Sequence, residues 1–431
     1  MLAFWKIVYD FVVLPLLWLI LQILGIFSSK VRRGIRGRTL LFRDLEHQVS
    51  GLRTGKRVWF HSSSLGEFEQ AKPIIAELKR RFPSVGIIAS FFSPSGYEHS
   101  RKYHQADVIS YLPFDTVRGA EHFLELIRPN VAVMVRYDLW PNHIWALQRR
   151  RIPIIIANAT MRRQTPRRLP LARNFHHYVY NCIDDILAVS RTDVEAFRLF
   201  GITHPRIEVV GDTRYDQVSS RSIDARKRHL FPAGILEGKR IFVAGSTWPD
   251  DEEILLPAFL KLRTAVPQTL LIVVPHEPTV DHVEEIEEEL SGKVATIRFS
   301  ALNEYRNEHV IIVDSVGILF ILYAYAHVAF VGGSFRQGVH NVLEAAVFGI
   351  PVLFGPRHRN SQEPLMLVDS GGAFVVNDSD ELHRTLLHLL EDEEARSRAG
   401  EKAARFVQQN VGATERFLQH IQPYLQGSGL V

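Results

Sequence analysis

Residues 58–81 read VWFHSSSLGEFEQAKPIIAELKRR. An apolar run from Val58 to His61 leads through Ser62, Ser63, Ser64 and Gly66 into an amphipathic pattern that reaches Arg81. A strand that passes through hydroxyls and a glycine into a helix is the repeating step of a doubly wound α/β sheet. Working outward, further strands are expected at Gly86–Phe92, Val131–Arg136, Ile154–Asn158 and Ile186–Ser190. A second series is expected at Ile241–Ser246, Leu270–Pro275, Val310–Asp314, Val328–Gly332 and Pro351–Phe354. Helical patterns such as Thr116–Ile127, Glu252–Thr264 and His340–Phe348 lie between them. Near-continuous Val/Ile runs alternating with helices indicate parallel sheets covered on both faces. Two series imply two domains, 58–211 and 240–410, joined by a polar linker over 212–239 and followed by a C-terminal helix over 411–431. In such domains ligands bind at the carboxyl ends of the strands, so the site is expected in a cleft between the two.

Charge is distributed unevenly. The 431 residues carry 51 Lys+Arg against 47 Asp+Glu, a net +4, but residues 30–57 alone hold +7 and residues 1–29 none, leaving the body at −3. A slightly acidic body argues against a nucleic-acid partner. The single cysteine, Cys182, permits no internal disulfide and fits a reducing compartment.

From Phe11 to Phe27 the chain is uncharged and apolar. Basic residues follow this run instead of preceding it, and no small-residue cleavage site closes it, so residues 1–29 read as an uncleaved membrane anchor. Five Lys/Arg between Lys30 and Arg38 would bind anionic membrane lipids and hold the body on the cytoplasmic side of the membrane. Whether the segment spans the bilayer or embeds in one leaflet stays open at this point.

Three motifs bear on chemistry. In the first, Ser63, Gly66 and Glu67 begin a helix at the carboxyl edge of a sheet, where the helix dipole favours an ionised Glu67 and a general base could work on a hydroxyl. The bland reading of Glu67 is a first-turn acid that complements the dipole. In the second, Gly332-Gly333-Ser334 precedes His340-Asn341-Val342-Leu343-Glu344. Glycines admit backbone amides to a phosphate, and Asn341 and Glu344 can share a face toward ribose hydroxyls. A histidine and a glutamate without a second histidine do not make a zinc helix, so no metal is expected. In the third, Asp378-Ser379-Asp380 has the form of a metal-binding pair but directly precedes a helix and reads as its N-cap.

Taken in order, ten segments resemble the bacterial 3-deoxy-D-manno-octulosonic acid (Kdo) transferases, the lipid A Kdo transferase family. They are the anchor with its basic tail, Ser64-Leu65-Gly66-Glu67, Pro94-Ser95-Gly96, Leu112-Pro113-Phe114-Asp115, Leu139-Trp140-Pro141-Asn142, Asn158-Ala159-Thr160-Met161, Gly211-Asp212-Thr213-Arg214-Tyr215-Asp216, Ala244-Gly245-Ser246-Thr247, Gly332-Gly333-Ser334 and His340-Asn341-Val342-Leu343-Glu344. They extend to about residue 360. The resemblance implies a GT-B glycosyltransferase: two Rossmann-like domains, an anchor helix, and inverting transfer of Kdo from CMP-Kdo to a lipid A precursor (lipid IVA) without metal or other cofactor. It implies Glu67 as general base, with Arg214 and Asp138 assisting, and CMP against Pro275, His276, Val316, Gly317, Ile318, Asn341 and Glu344, with Ser63, Gly66 and Ser246 also at the substrates. This chain departs from the family at Arg136, where a glutamate is usual, at His276 in place of arginine, and at Ile318 in place of glutamate. The arginine clusters Arg149–Arg151, Arg162–Arg163 and Arg167–Arg168 suit a phosphorylated lipid or a plain solvated face. The alternatives are a GT-B enzyme that uses a UDP-sugar and a non-catalytic, lipid-binding relative.

Overall fold

The computed structural model describes residues 2–52, 55–359 and 361–426. Met1 of the expected anchor, Arg53 and Thr54 of the basic segment, Asn360, and residues 427–431 of the expected C-terminal helix lie outside the described residues.

The chain divides into two compact units, one formed by residues 1–217 with 412–431 and the other by 218–411. Each holds one parallel sheet of seven strands. In the first, β1 (Arg57–Ser62), β2 (Gly86–Phe91), β3 (Val108–Tyr111), β4 (Val131–Val135), β5 (Ile154–Ala159), β6 (Asp185–Ala188) and β7 (Arg206–Val209) lie in the order 3-2-1-4-5-6-7. In the second, β8 (Arg240–Thr247), β9 (Thr269–Pro275), β10 (Thr296–Arg298), β11 (Val310–Ile312), β12 (Val328–Val331), β13 (Val352–Phe354) and β14 (Ala373–Val375) lie in the order 10-11-9-8-12-13-14. Both sheets are wound outward in two directions from their first strand, so each has a switch point, between β1 and β4 and between β8 and β12. The central strands are buried end to end, as their unbroken Val/Ile runs require: β4 and β9 expose nothing.

The ten strands expected from sequence are all present, with ends that agree to within two residues. The four that sequence misses, β3, β7, β10 and β14, are three or four residues long and sit at the sheet edges. The expected linker opens with a helix, Thr213–Ala225, and the two units divide inside it. The terminal helix Ala413–Gln426 belongs with the first unit, where Phe417, Leu418 and Ile421 join the core that also holds Phe60 and Phe68. Asp378 caps the helix Ser379–Glu391 by accepting the Glu381 amide at 2.7 Å, the capping role read from sequence.

At the amino terminus Ala3–Phe27 is helical, 25 residues that hold an 18-residue stretch of mean hydropathy 2.3, long and apolar enough to cross a membrane. A π-turn over Tyr9–Val13 interrupts it just before Pro15, whose ring cannot accommodate a regular turn behind it. The extra residue rotates Tyr9 into the first unit, where its hydroxyl donates to buried Asp115 at 2.7 Å. Asp115 also accepts the amides of Asn142 and His143, each at 3.0 Å, and Asn142 in turn donates to Asp10 at 2.6 Å. Asp10, the one acid of the helix, is thus explained by the domain and not by lipid. Tyr9→Phe removes a donor to a fully buried carboxylate, for an expected loss of about 1–3 kcal/mol in a detergent-phase chemical melt; an unchanged midpoint would place Tyr9 outside the fold's energetics.

The basic segment forms two helices, Ser29–Gly37 and Leu41–Ser50. Lys30, Arg32, Arg33 and Arg36 are exposed. Arg38 is not available to headgroups as expected: it donates to the carbonyls of Leu112 and Phe92 at 2.8 and 2.7 Å, and burial pulls its pKa down to about 10. Among the arginine clusters, Arg149 and Arg150 are paired with Glu121, and Arg163 with Glu195.

Candidate active site

In the first unit the residues after β1 and β4, the two strands at the switch point, come together. Gly96, in the helix Pro94–Ser100 after β2, lets that helix pack on the loop after β1, since a Cβ there would lie 2.9 Å from Phe91 and 3.3 Å from the Leu65 nitrogen. Glu67 is 6% exposed in the first turn of the Leu65–Arg81 helix, and its Oε2 accepts the Ser63 amide at 2.7 Å. Sequence predicts an ionised form favoured by the helix dipole; burial works against that form. Burial raises the Glu67 pKa above the usual glutamate range, and the Ser63 amide offsets this only in part. Asp138 raises it further and His61 lowers it. A carboxylate with a raised pKa is a stronger base than a solvated one.

His61 is a site residue that sequence did not single out. The register of β1 and β2 sets it opposite Ser90, and Trp59 lies two residues back on the same face. The Trp59 indole can only donate, so Ser90 Oγ accepts it at 2.8 Å; the serine's own hydrogen goes to His61 Nδ1 at 2.9 Å. That leaves His61 Nε2–H to donate to Asp138 Oδ2 at 3.0 Å, where Trp140 Nε1 also donates at 3.1 Å. Asp138 is therefore held by two fixed donors at the carboxyl edge of β4. Arg136, two residues earlier, has a left-handed backbone (φ 67°), its amide bonded to the Ala157 carbonyl at 2.8 Å and its Nε buried with no hydrogen-bond partner. An unusual backbone angle with an orphaned donor marks a strained position of the kind that clusters at functional sites.

Arg214 is in the same unit, next to Thr213, which donates to the carbonyl of Gln70, one turn along from Glu67, at 2.6 Å and exchanges hydrogen bonds with Asn158. Its guanidinium grips Asp212 at 2.9 and 2.6 Å.

In the second unit Ser246, Pro275-His276, Val316 to Ile318 and Asn341 to Glu344 lie at the ends of, or after, β8, β9, β11 and β12, four neighbouring strands, and so gather on one carboxyl edge. Ser246 sits at a register shift with φ 55°, and Gly332 passes so close that a Cβ would meet the Ser246 carbonyl at 2.2 Å. Gly333 has φ 81°. Asp251, 1% exposed, ties these loops together by accepting the amides of Gly333 (2.7 Å), Trp248 (3.0 Å) and Phe335 (3.4 Å). Over them three rings stack, Trp248 on His276 at 4.8 Å and His276 on His340 at 4.4 Å. Trp248 Nε1 donates to His340 Nε2 at 3.0 Å, and burial, with His276 alongside, pushes the His340 pKa down to about 4, so this imidazole is neutral near pH 7. Asn341 caps its own turn by accepting the Leu343 amide at 3.2 Å, and Glu344 lies 4.0 Å from Arg221.

Comparison with known proteins adds the following. Residues 34–217 match the family model for 3-deoxy-D-manno-octulosonic-acid transferase (kdotransferase). The chain is 28% identical to the 3-deoxy-D-manno-octulosonic acid transferase of Haemophilus influenzae, covering 98% of this chain and 99% of that one. It is 26% identical to the protein of the same name from Chlamydophila psittaci over 86% of each. Among solved structures, UDP-GlcNAc 2-epimerase of Neisseria meningitidis, bound to UDP-GlcNAc, has a TM-score of 0.60 at 15% identity, over 85% of this chain and 99% of its own. MurG of Acinetobacter baumannii has a TM-score of 0.52 at 14% identity, over 85% and 99%. Both structural likenesses are of fold, two Rossmann-like domains of the GT-B class.

Proposed function

The chain belongs to the Kdo transferase family, and on that premise we propose that it transfers Kdo from CMP-Kdo to a lipid A precursor in lipopolysaccharide synthesis, inverting the anomeric centre, with Glu67 as general base. The observation that carries the mechanism is Glu67 itself: buried, upward-shifted, and fixed by the Ser63 amide at the switch point of the first sheet. The acceptor oxygen forms a bond to the anomeric carbon as the bond to the CMP phosphate breaks, Glu67 takes the acceptor proton, and CMP leaves with the electron pair. Because the departing bond runs ahead, positive charge builds at the anomeric carbon and negative charge on the phosphate. Asp138, immobilised by His61 and Trp140, orients the acceptor hydroxyl, and Arg136 offers its unpartnered donor to a phosphate or carboxylate of the substrates. Arg214, as a cation held by Asp212, complements charge on the donor. The second unit supplies the nucleotide site, with Gly332-Gly333 amides, Ser246 and Asn341–Glu344 around phosphate and ribose, and the ring stack as a wall. The apolar amino-terminal helix and the exposed basic residues support a position at the cytoplasmic face of the inner membrane, where the lipid acceptor would lie.

The direct test is release of CMP from CMP-Kdo on adding a tetraacylated lipid A precursor. Acceptor-dependent release is expected; turnover of UDP-sugars with none of CMP-Kdo would overturn the reading. A second test uses Gly66, where an added Cβ would meet nothing within 4 Å, so the fold does not require glycine there. Gly66→Leu is expected to leave the melting temperature near wild type and to lower kcat/KM by on the order of tenfold or more, by intruding beside Glu67. Unaltered kinetics would remove this surface from the acceptor site.

A further inference from the structure

We infer that the amino-terminal apolar helix does not cross the bilayer: it lies in the plane of one leaflet, held near both its ends to the rest of the first unit, and makes the protein monotopic. Both ends of the helix dock on that unit. Near the start, the Trp5 indole donates to Asn174 at 3.3 Å and packs on Phe175, with ring centroids 5.6 Å apart. After Phe27 the chain returns at once: Arg33 pairs with Glu98 at 3.2 Å, and Gly34 sits so close to Pro94 that a Cβ would come within 2.9 Å of it. The seven residues from Phe27 to Gly34 could reach about 25 Å if fully extended, and about 10 Å as the helix they largely form. Neither end can therefore stand on the far side of a hydrocarbon core about 30 Å thick.

The burial pattern agrees. Tyr9, Leu14 and Gly25 are the buried positions of the helix. The step from Tyr9 to Leu14 is the five-residue step of the π-turn, and the step from Leu14 to Gly25 is three regular turns, so the three share one face. The opposite face is apolar throughout, with Phe11 77% and Phe27 82% exposed. Charge follows the same plane: Lys30, Arg32, Arg33 and Arg36 are exposed at one end. At the other, Leu169 and Leu171, 63% and 76% exposed among arginines, precede the Asn174 and Phe175 that Trp5 touches. A broad apolar face bordered by cations fits the headgroup–acyl boundary of an anionic leaflet.

Two measurements on the full chain test this. Ala3→Cys is labelled with a membrane-impermeant maleimide in spheroplasts and in inverted membrane vesicles, with Glu401→Cys reporting the side of the globular units and wild type, whose Cys182 is buried, as the blank. Labelling of both sites in inverted vesicles and of neither in spheroplasts is expected; labelling of Ala3→Cys in spheroplasts overturns the proposal. Independently, fluorophores on Phe11→Cys and Phe27→Cys are quenched by depth-specific lipids in phosphatidylethanolamine–phosphatidylglycerol vesicles. Equal, shallow depths support the in-plane helix. Depths that differ by most of the roughly 24 Å between these positions along a helix, or a chain that stays soluble, overturn it.

Discussion

Glu67→Gln is expected to lower the turnover of Kdo transfer by roughly 10²–10⁴-fold, the range of a lost general base, while CMP affinity and melting temperature stay near wild type. Glutamine keeps an oxygen for the Ser63 amide, so the helix start survives, and the proposed nucleotide site lies in the other unit. The pH profile separates a base from a structural acid. A base works only when deprotonated, so kcat/KM falls as pH drops through the Glu67 pKa, and burial puts that limb above the usual glutamate range. Glu67→Gln should lose the limb. Asp138→Asn, which removes a charge that raises the Glu67 pKa, should move the limb to lower pH along with any loss of rate. Near-normal turnover in Glu67→Gln, or a limb unmoved in Asp138→Asn, would take the proton transfer away from this pair.

How far the sequence led can be judged residue by residue. Buried parallel strands announce themselves, because both faces need apolar side chains; β4, Val131 to Val135, could hardly be read otherwise. Edge strands do not: Arg206–Val209 pairs on one side only and is largely exposed, so nothing in its residues demands a sheet. Glu67 was legible by its place after a strand and a glycine, but its protonation was not, since burial depends on what packs over it. His61 looked like the end of a strand, and its partners Ser90 and Asp138 are 29 and 77 residues away. The helix at the amino terminus shows the same limit. Hydropathy marked it as a membrane element, whereas its docking rests on Trp5, Tyr9 and Asp10 finding Asn174, Asp115 and Asn142, pairs that no local pattern encodes. Asp251 was hidden in the acidic first turn Asp250-Asp251-Glu252, which reads as a complement to the helix dipole.

That residue makes the second large prediction. Asp251 gathers three backbone amides from the loops after β8 and β12, and no water reaches it. Asp251→Leu fills a similar volume but accepts nothing, leaving those amides orphaned beside the glycine pair. The expected cost is about 3–5 kcal/mol of stability, as for removing one member of a buried polar set, read as a lower midpoint in a chemical melt of the full chain. Asp251→Asn, which keeps one oxygen acceptor, should fall between this variant and wild type. The functional readout is CMP affinity by calorimetry. If the Gly332-Gly333 amides hold the nucleotide phosphate, loosening them weakens CMP binding in the order Asn, then Leu, at temperatures where both variants remain folded. Glu67→Gln should show the reverse, lost turnover with CMP binding kept, so that the two positions separate binding from proton transfer. A folded Asp251→Asn with lowered stability and unchanged CMP affinity would mean that the glycine loop serves the fold alone, and the phosphate site would have to be sought elsewhere on that carboxyl edge.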